Sequence, residues 1–95
     1  MKQNDWFLYI VECKDKSLYN GISTNIDRRI LQHNAKIGAK SLRSKVPVSL
    51  VYSERYNGHS GAAKREMEIK GWSRNKKLNL INNNTKATVN VSGLP

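Results

Sequence analysis

The stretch WFLYIVECKDKSLYNGISTNIDRRILQHN, residues 6–34, decides the fold. Its first part, Trp6–Cys13, is a near-continuous apolar run with aromatic and β-branched side chains, the pattern of a strand buried on both faces. KDKS (14–17) supplies turn residues and LYNGI (18–22) a second short strand. Two strands this close pair as an antiparallel hairpin. Thr24 or Asn25 caps the helix that follows, and Asp27 suits its positive end. That helix is expected to run from Ile26 to Lys36 or Ile37, with Gly38 as its stop.

Working outward, AKSLRSK (39–45) is a short basic connector. VPVSLVYSE (46–54) is a third strand, and Pro47 near its start marks an edge or a strand beginning. YNGHS (56–60) is a turn. Ser60 caps a helix reaching Lys70, where Gly71 stops it, and Ser73 caps a short final helix in SRNKKLNLIN (73–82). The order ββαβαα predicts an α+β domain, a three-stranded antiparallel sheet flanked by helices. We place the domain at 1–82 and a tail at 83–95, either flexible or a late edge strand.

With 95 residues, one domain is expected, and a chain this short buries only roughly 60–65% of its unfolded surface. Each polar residue on an apolar face is therefore costly. The lone cysteine, Cys13, cannot form an internal disulfide, which points to a cytoplasmic setting. One cysteine and two histidines, His33 and His59, fall short of a tetrahedral zinc site. MKQNDWFLYI contains no apolar run long enough for a signal peptide or a membrane span. Seventeen Lys and Arg against seven Asp and Glu give a net charge of +10, and no acidic residue follows Glu68. That balance suits nucleic acid; a membrane surface would need a basic amphipathic helix with bulky apolar anchors, which the chain lacks.

Helical wheels of about 100° per residue expose two anomalies. Ile26, Ile30 and Ile37 share an arc with His33, and Arg29 sits at its edge, one turn earlier. Two readings stay open: a hydrogen-bonded core histidine with Arg29 reaching solvent, or both residues aimed into a site where sheet and helix meet. In the helix after Ser60, Ala62, Ala63, Met67 and Ile69 mark the apolar side, and Glu66 falls within it while Glu68 lies opposite with Lys64. An unpartnered buried carboxylate is expensive, so Glu66 either pairs with Arg29 or binds a cation. Mg²⁺ needs only one or two protein carboxylates beside water and phosphate oxygens.

LYI (8–10), YNG (19–21), Arg29 eight residues after Gly21, His33 four later, and the helix GAAKREMEIK (61–70) together resemble the GIY-YIG nuclease family. Leu8 stands where the first motif has glycine. HNAKIGAKSLRSKVPVSLVYSE (33–54) and IKGWSRNKKLNLI (69–81) are similar to the small stand-alone bacterial members, the YhbQ-like proteins. The resemblance spans about residues 6–81. It implies phosphodiester hydrolysis dependent on one Mg²⁺ or Mn²⁺ ion held by Glu66, with repair of DNA as a setting. Tyr9 would activate water or position the base, with Tyr19 beside it as hydrogen-bond partner or alternative base. Arg29 would stabilise charge on the phosphate, and His33 would move a proton or hold Tyr9. Gly21 is either a strand-end turn or a place where no side chain is allowed.

Lys36, Lys40, Arg43, Lys45 and Lys70 are expected to contact nucleic-acid phosphates, as are Lys64, Arg65, Arg74, Lys76 and Lys77. DNA is the favoured substrate, with RNA as the alternative, and recognition is expected to follow structure more than sequence. Two other readings are carried: an inactive nucleic-acid-binding module, and a nuclease active only with a partner protein. Tyr52, Tyr56, Trp6 and Trp72 are assigned to the core. An asparagine that completes the site in some family members has no matching context here.

Overall fold

The structure is a computed structural model describing residues 5–93, with side chains described through Asn83. β1 (Trp6–Glu12), β2 (Leu18–Ser23) and β3 (Ser49–Tyr56) form one antiparallel sheet in the order β2-β1-β3. α1 (Ile26–Asn34), α2 (His59–Lys70) and α3 (Arg74–Gly93) complete the fold, with a single 3₁₀ turn at Lys40–Leu42. This is the expected α+β order. No helix among the described residues is long and apolar enough to cross a membrane.

β1 is central because its residues are apolar on both sides. Leu8, Tyr9, Ile10 and Val11 are all buried. Leu8 and Ile10 pack with Tyr52, Ile69 and Ile81 on the face covered by α2 and α3. Tyr9, Val11 and Cys13 pack with Leu42 and Val48 on the other, under Ile26 and Ile30 of α1. The hairpin register sets Tyr9 opposite Gly21, Ile10 opposite Asn20 and Val11 opposite Tyr19. That pairing puts the two tyrosines and Gly21 on the α1 face by the alternation of a strand.

The boundaries differ from the expected ones for local reasons. α1 ends at Asn34, not at Lys36 or Ile37, because Lys36 turns left-handed at φ 65° and the Ile37 N–H reaches back to the Gln32 carbonyl at 3.0 Å, closing the helix end. The Asn34 side chain accepts from Val48 N–H at 2.7 Å and donates to the Val48 carbonyl at 3.2 Å. Ile37 lies beyond the helix and is exposed. β3 starts at Ser49 and runs on to Tyr56, leaving Pro47 outside the ladder. Gly58, not Ser60, is the residue before α2. Asn25 caps α1 by accepting from Arg28 N–H at 3.0 Å, and Ser73 caps α3 by accepting from Lys76 N–H at 3.2 Å. α3 continues to Gly93, so the backbone of 83–93 extends the helix and adds no edge strand.

The buried stripe of α2 also differs. Ala62 and Ile69 are buried, while Met67 is exposed. Ala62, Arg65, Glu66 and Ile69 follow the i, i+3, i+4, i+7 spacing of one helix face, so the stripe is an apolar line with a charge on each flank. On the β3 flank, Arg65 Nε lies 3.0 Å from Glu54 Oε1. Glu54 also accepts hydrogen bonds from Tyr52 and from Tyr56, the latter at 2.6 Å. Burial alone would raise the Glu54 carboxyl, but Arg65 and the two hydroxyls outweigh it and hold the group below its ordinary value. The Tyr56 hydroxyl is pushed up to about 12, first by burial and then by Glu54. Both tyrosines are therefore core residues with satisfied hydroxyls.

Glu54→Ala should strand Arg65 and two tyrosine hydroxyls and cost about 3 kcal/mol. Arg55→Ala, which removes only the exposed pair with Asp5, should cost at most about 1 kcal/mol. Denaturant midpoints of the two variants check the contrast.

Candidate active site

The site is built where β2 forms an edge of the sheet. The Tyr9 ring leans from the central strand across Gly21: a Cβ at Gly21 would lie 2.7 Å from the Tyr9 hydroxyl oxygen. Since real side chains do not approach that closely, position 21 has to lack one. The requirement is a close approach, not a turn. Gly38 has the same role behind the site. It is not the α1 stop; a Cβ there would lie 3.1 Å from the His33 Cα and closer still to Nδ1.

His33 is buried and fully engaged. Its Nε2 is 2.9 Å from the Tyr9 hydroxyl. Its Nδ1 accepts from Ala39 N–H at 3.4 Å. With Nδ1 accepting, the neutral ring carries its proton on Nε2 and donates it to Tyr9. The Tyr9 hydroxyl is then free to give its own proton to a third partner. His33 is thus a hydrogen-bonded core histidine, and the same bond fixes the Tyr9 hydroxyl. Burial, helped by the Arg29 charge, lowers the His33 pKa and keeps the ring neutral.

Three other residues act on Tyr9. The Tyr19 ring stands edge-on to His33, with centroids 5.7 Å apart. Arg29 is half-buried, and its Nη1 donates to Gln32 Oε1 at 3.0 Å. Burial raises the Tyr9 pKa, Arg29 pulls it back, and the charges of Tyr19 and Glu66 raise it further. Glu66 thus acts on Tyr9 from α2, although the two helices cover opposite faces. Asn20 accounts for this reach. It is buried on the α2 face of β2, donates to the Glu66 backbone carbonyl at 3.3 Å and accepts from Lys77 Nζ at 3.3 Å. This holds the Glu66 turn against β2 one residue from Gly21. The site therefore has a buried floor, Tyr9 and His33, and a half-buried rim of Tyr19, Arg29 and Glu66.

Glu66 does not pair with Arg29, since its carboxylate meets Lys70 at 3.3 Å. Lys70 is thereby occupied, as is Lys45, 3.8 Å from Asp15. Lys36, Lys40 and Arg43 are exposed around the connector. Among the described residues no three His, Cys, Asp or Glu side chains gather. The donor set is a single half-buried carboxylate, which fits a hard cation that keeps its waters better than a nitrogen- and sulfur-ligated metal.

The roles of Asn20, Glu54 and Asn34 were missed from sequence, while Arg65, expected on phosphate, pairs with Glu54 and Gly38, expected as a helix stop, packs on His33. Two of them left a signal: Asn20 interrupts the alternation Leu18-Asn20-Ile22, and Glu54 interrupts Tyr52-Glu54-Tyr56. Each is a polar residue on a buried face.

A central-strand tyrosine, a bare edge-strand glycine, a first-helix arginine and histidine, and a second-helix glutamate thus gather at one edge of a small α+β scaffold. The sequence matches the GIY-YIG catalytic domain over residues 5–79, and the chain belongs to the GIY-YIG family. It is 51% identical over 75 residues to a UPF0213 protein of Staphylococcus haemolyticus, covering 79% of this chain and 92% of that protein. It is 44% identical over 81 residues to one of Natronomonas pharaonis, covering 85% and 95%. The solution structure of a UPF0213 protein from Bacillus halodurans aligns with TM-score 0.54 at 40% identity, covering 82% of this chain and 83% of that one. A protein of E. faecalis aligns with TM-score 0.58 at 30% identity, covering 86% and 90%.

Gly38→Ala should destabilise the fold by about 1–3 kcal/mol through overpacking against His33. Gly71→Ala, whose Cβ would meet nothing nearer than 3.8 Å, should be close to neutral, and thermal melts compare them. A second outcome concerns pH. With the folded His33 pKa below 6.5, the unfolded chain takes up the proton first as pH falls. Stability tied to the neutral ring is full above about pH 6.5 and is lost on descending through the depressed folded value. The wild-type melting temperature should therefore fall more steeply than that of His33→Gln between about pH 7 and pH 5.

Proposed function

We propose that this protein is a divalent-metal-dependent endonuclease that hydrolyses phosphodiester bonds in DNA and selects substrates by structure more than by sequence. The observation that carries this reading is the convergence on Tyr9 of a neutral histidine donor, an arginine and a half-buried glutamate at an open strand edge. A core without function has little use for a carboxylate kept beside a tyrosine whose ionisation it opposes.

Arg29 presents a rigid fork of donors to a phosphate and opposes the charge that builds on its oxygens. Tyr9, its oxygen held by the His33 N–H, either positions the attacking water by donating its hydroxyl proton in a hydrogen bond or, having released that proton to solvent, takes one from the water as the phenolate. Once deprotonated, its phenolate would be held by the His33 N–H and by Arg29. Glu66 would hold one Mg²⁺ or Mn²⁺ ion, which supplies Lewis-acid stabilisation of the phosphate and leaving oxygen. A cation on Glu66 also removes the negative charge that raises the Tyr9 pKa. Lys70, now on Glu66, would shift to the phosphate backbone. Lys36, Lys40 and Arg43 supply sequence-independent attraction that weakens with salt.

The test is cleavage of single-stranded, duplex and branched DNA, and of RNA, with Mg²⁺ or Mn²⁺. Wild type should cut, and Glu66→Ala and Arg29→Ala should each lose about 100-fold or more. Tight binding with no cutting by any variant would identify a binding module. Cutting restored only by cell extract would identify a partner-dependent nuclease.

A further inference from the structure

Where the chain leaves β2 and turns into α1, an open cleft of about 240 Å³ lies beside the site. Trp6 and Ile22 give it an apolar wall, and Thr24, Arg28, Arg29 and Gln32 give it a polar one. Arg29 belongs to both cleft and site, so the two are continuous. Trp6 is only half-buried, its indole perpendicular to the His59 ring at 4.7 Å. Arg28 is exposed and makes no ion pair among the described residues. Trp6 is thus more than a core residue, since part of its surface faces a cleft with a free cation at its mouth.

A flat apolar wall, an unpaired guanidinium, and a second guanidinium shared with the phosphate site match the parts of one nucleotide. We infer that the cleft is a subsite for an unpaired nucleotide next to the scissile phosphate. Its base rests against Trp6 and Ile22, and its own phosphate meets Arg28. The inference rests on the nucleic-acid reading above and deepens it by naming the substrate class. A base inside a duplex cannot enter a cleft without leaving its stack, which costs a few kcal/mol. The preferred substrate is therefore a single strand, or the unpaired nucleotides at a branch or frayed end.

The test uses the full chain in EDTA, so that binding is read without cleavage. Two indole N–H signals are present, from Trp6 and Trp72, and Trp6→Phe assigns them by NMR. A short single-stranded oligonucleotide should shift the Trp6 signal, and a blunt duplex of the same sequence should not. Trp6→Ala should weaken single-strand binding about tenfold, as expected for loss of one stacked base. Arg28→Ala, at an exposed position that leaves the core intact, should lower the salt slope of binding by about one. Single-strand binding with a silent Trp6 and an unchanged Arg28→Ala slope would overturn the subsite, as would an equal Trp6 shift with the duplex. If cleavage is Glu66-dependent while Trp6 stays silent, the subsite alone fails. If the single strand shifts Trp6 but no metal supports cutting, the nuclease reading alone fails. If neither nucleic acid binds, both fail.

Discussion

The hydrogen bond between Tyr9 and His33 is the contact on which the rest of the site depends. It joins the central strand to α1 inside the smaller of the two cores, with both partners almost completely enclosed. Buried polar groups are tolerated there only because each finds its partner. The bond is possible because two backbone positions have no side chain. Gly21 lets the tyrosine ring cross the edge strand, and Gly38 lets the loop after α1 close over the imidazole. The Ala39 N–H then sets the tautomer, so backbone packing decides which proton the site can use.

A second constraint fixes α2 about its own axis. Its buried line of Ala62 and Ile69 is too small to set the helix rotation by shape alone. Arg65 on one flank grips Glu54 of β3, and the backbone of Glu66 on the other is gripped by Asn20 of β2. Neighbouring charges of opposite sign thus point to opposite edges of the sheet. The first pair is structural, while the second leaves a carboxylate beside Tyr9. The cost of placing charge on a half-buried helix face is offset because each charge is paired, Arg65 with Glu54 and Glu66 with Lys70.

Much of this was legible from periodicity. The apolar run of Trp6–Cys13 read as a strand buried on both faces, and the close-set second strand required an antiparallel hairpin, whose register the structure sets with Tyr9 opposite Gly21. The wheel of α1 placed His33 among isoleucines, and Glu66 stood out on α2. Periodicity misled where the backbone reversed: Lys36 turned left-handed and closed the end of α1, so Ile37 fell outside the helix and into solvent. It misled again on α2, where Met67 looked apolar enough to face the core but the rotation was set by Arg65 and Asn20.

Residue pattern alone therefore determined the element order and the β1–β2 hairpin, and set Arg29, His33 and Glu66 on the core-facing sides of their helices, because alternation and helical period report which residues share a face, while Tyr9 and Tyr19 were singled out by family resemblance. Tertiary structure decided what covers each face. That Glu66 meets Lys70 and not Arg29, that His33 donates to Tyr9, that Gly38 is a packing requirement and not a helix stop, and that Trp6 borders an open cleft all depend on elements far apart in the chain. Such contacts form between surfaces whose facing residues no local period records, and their polar partners are chosen by distance and desolvation once the layers have closed.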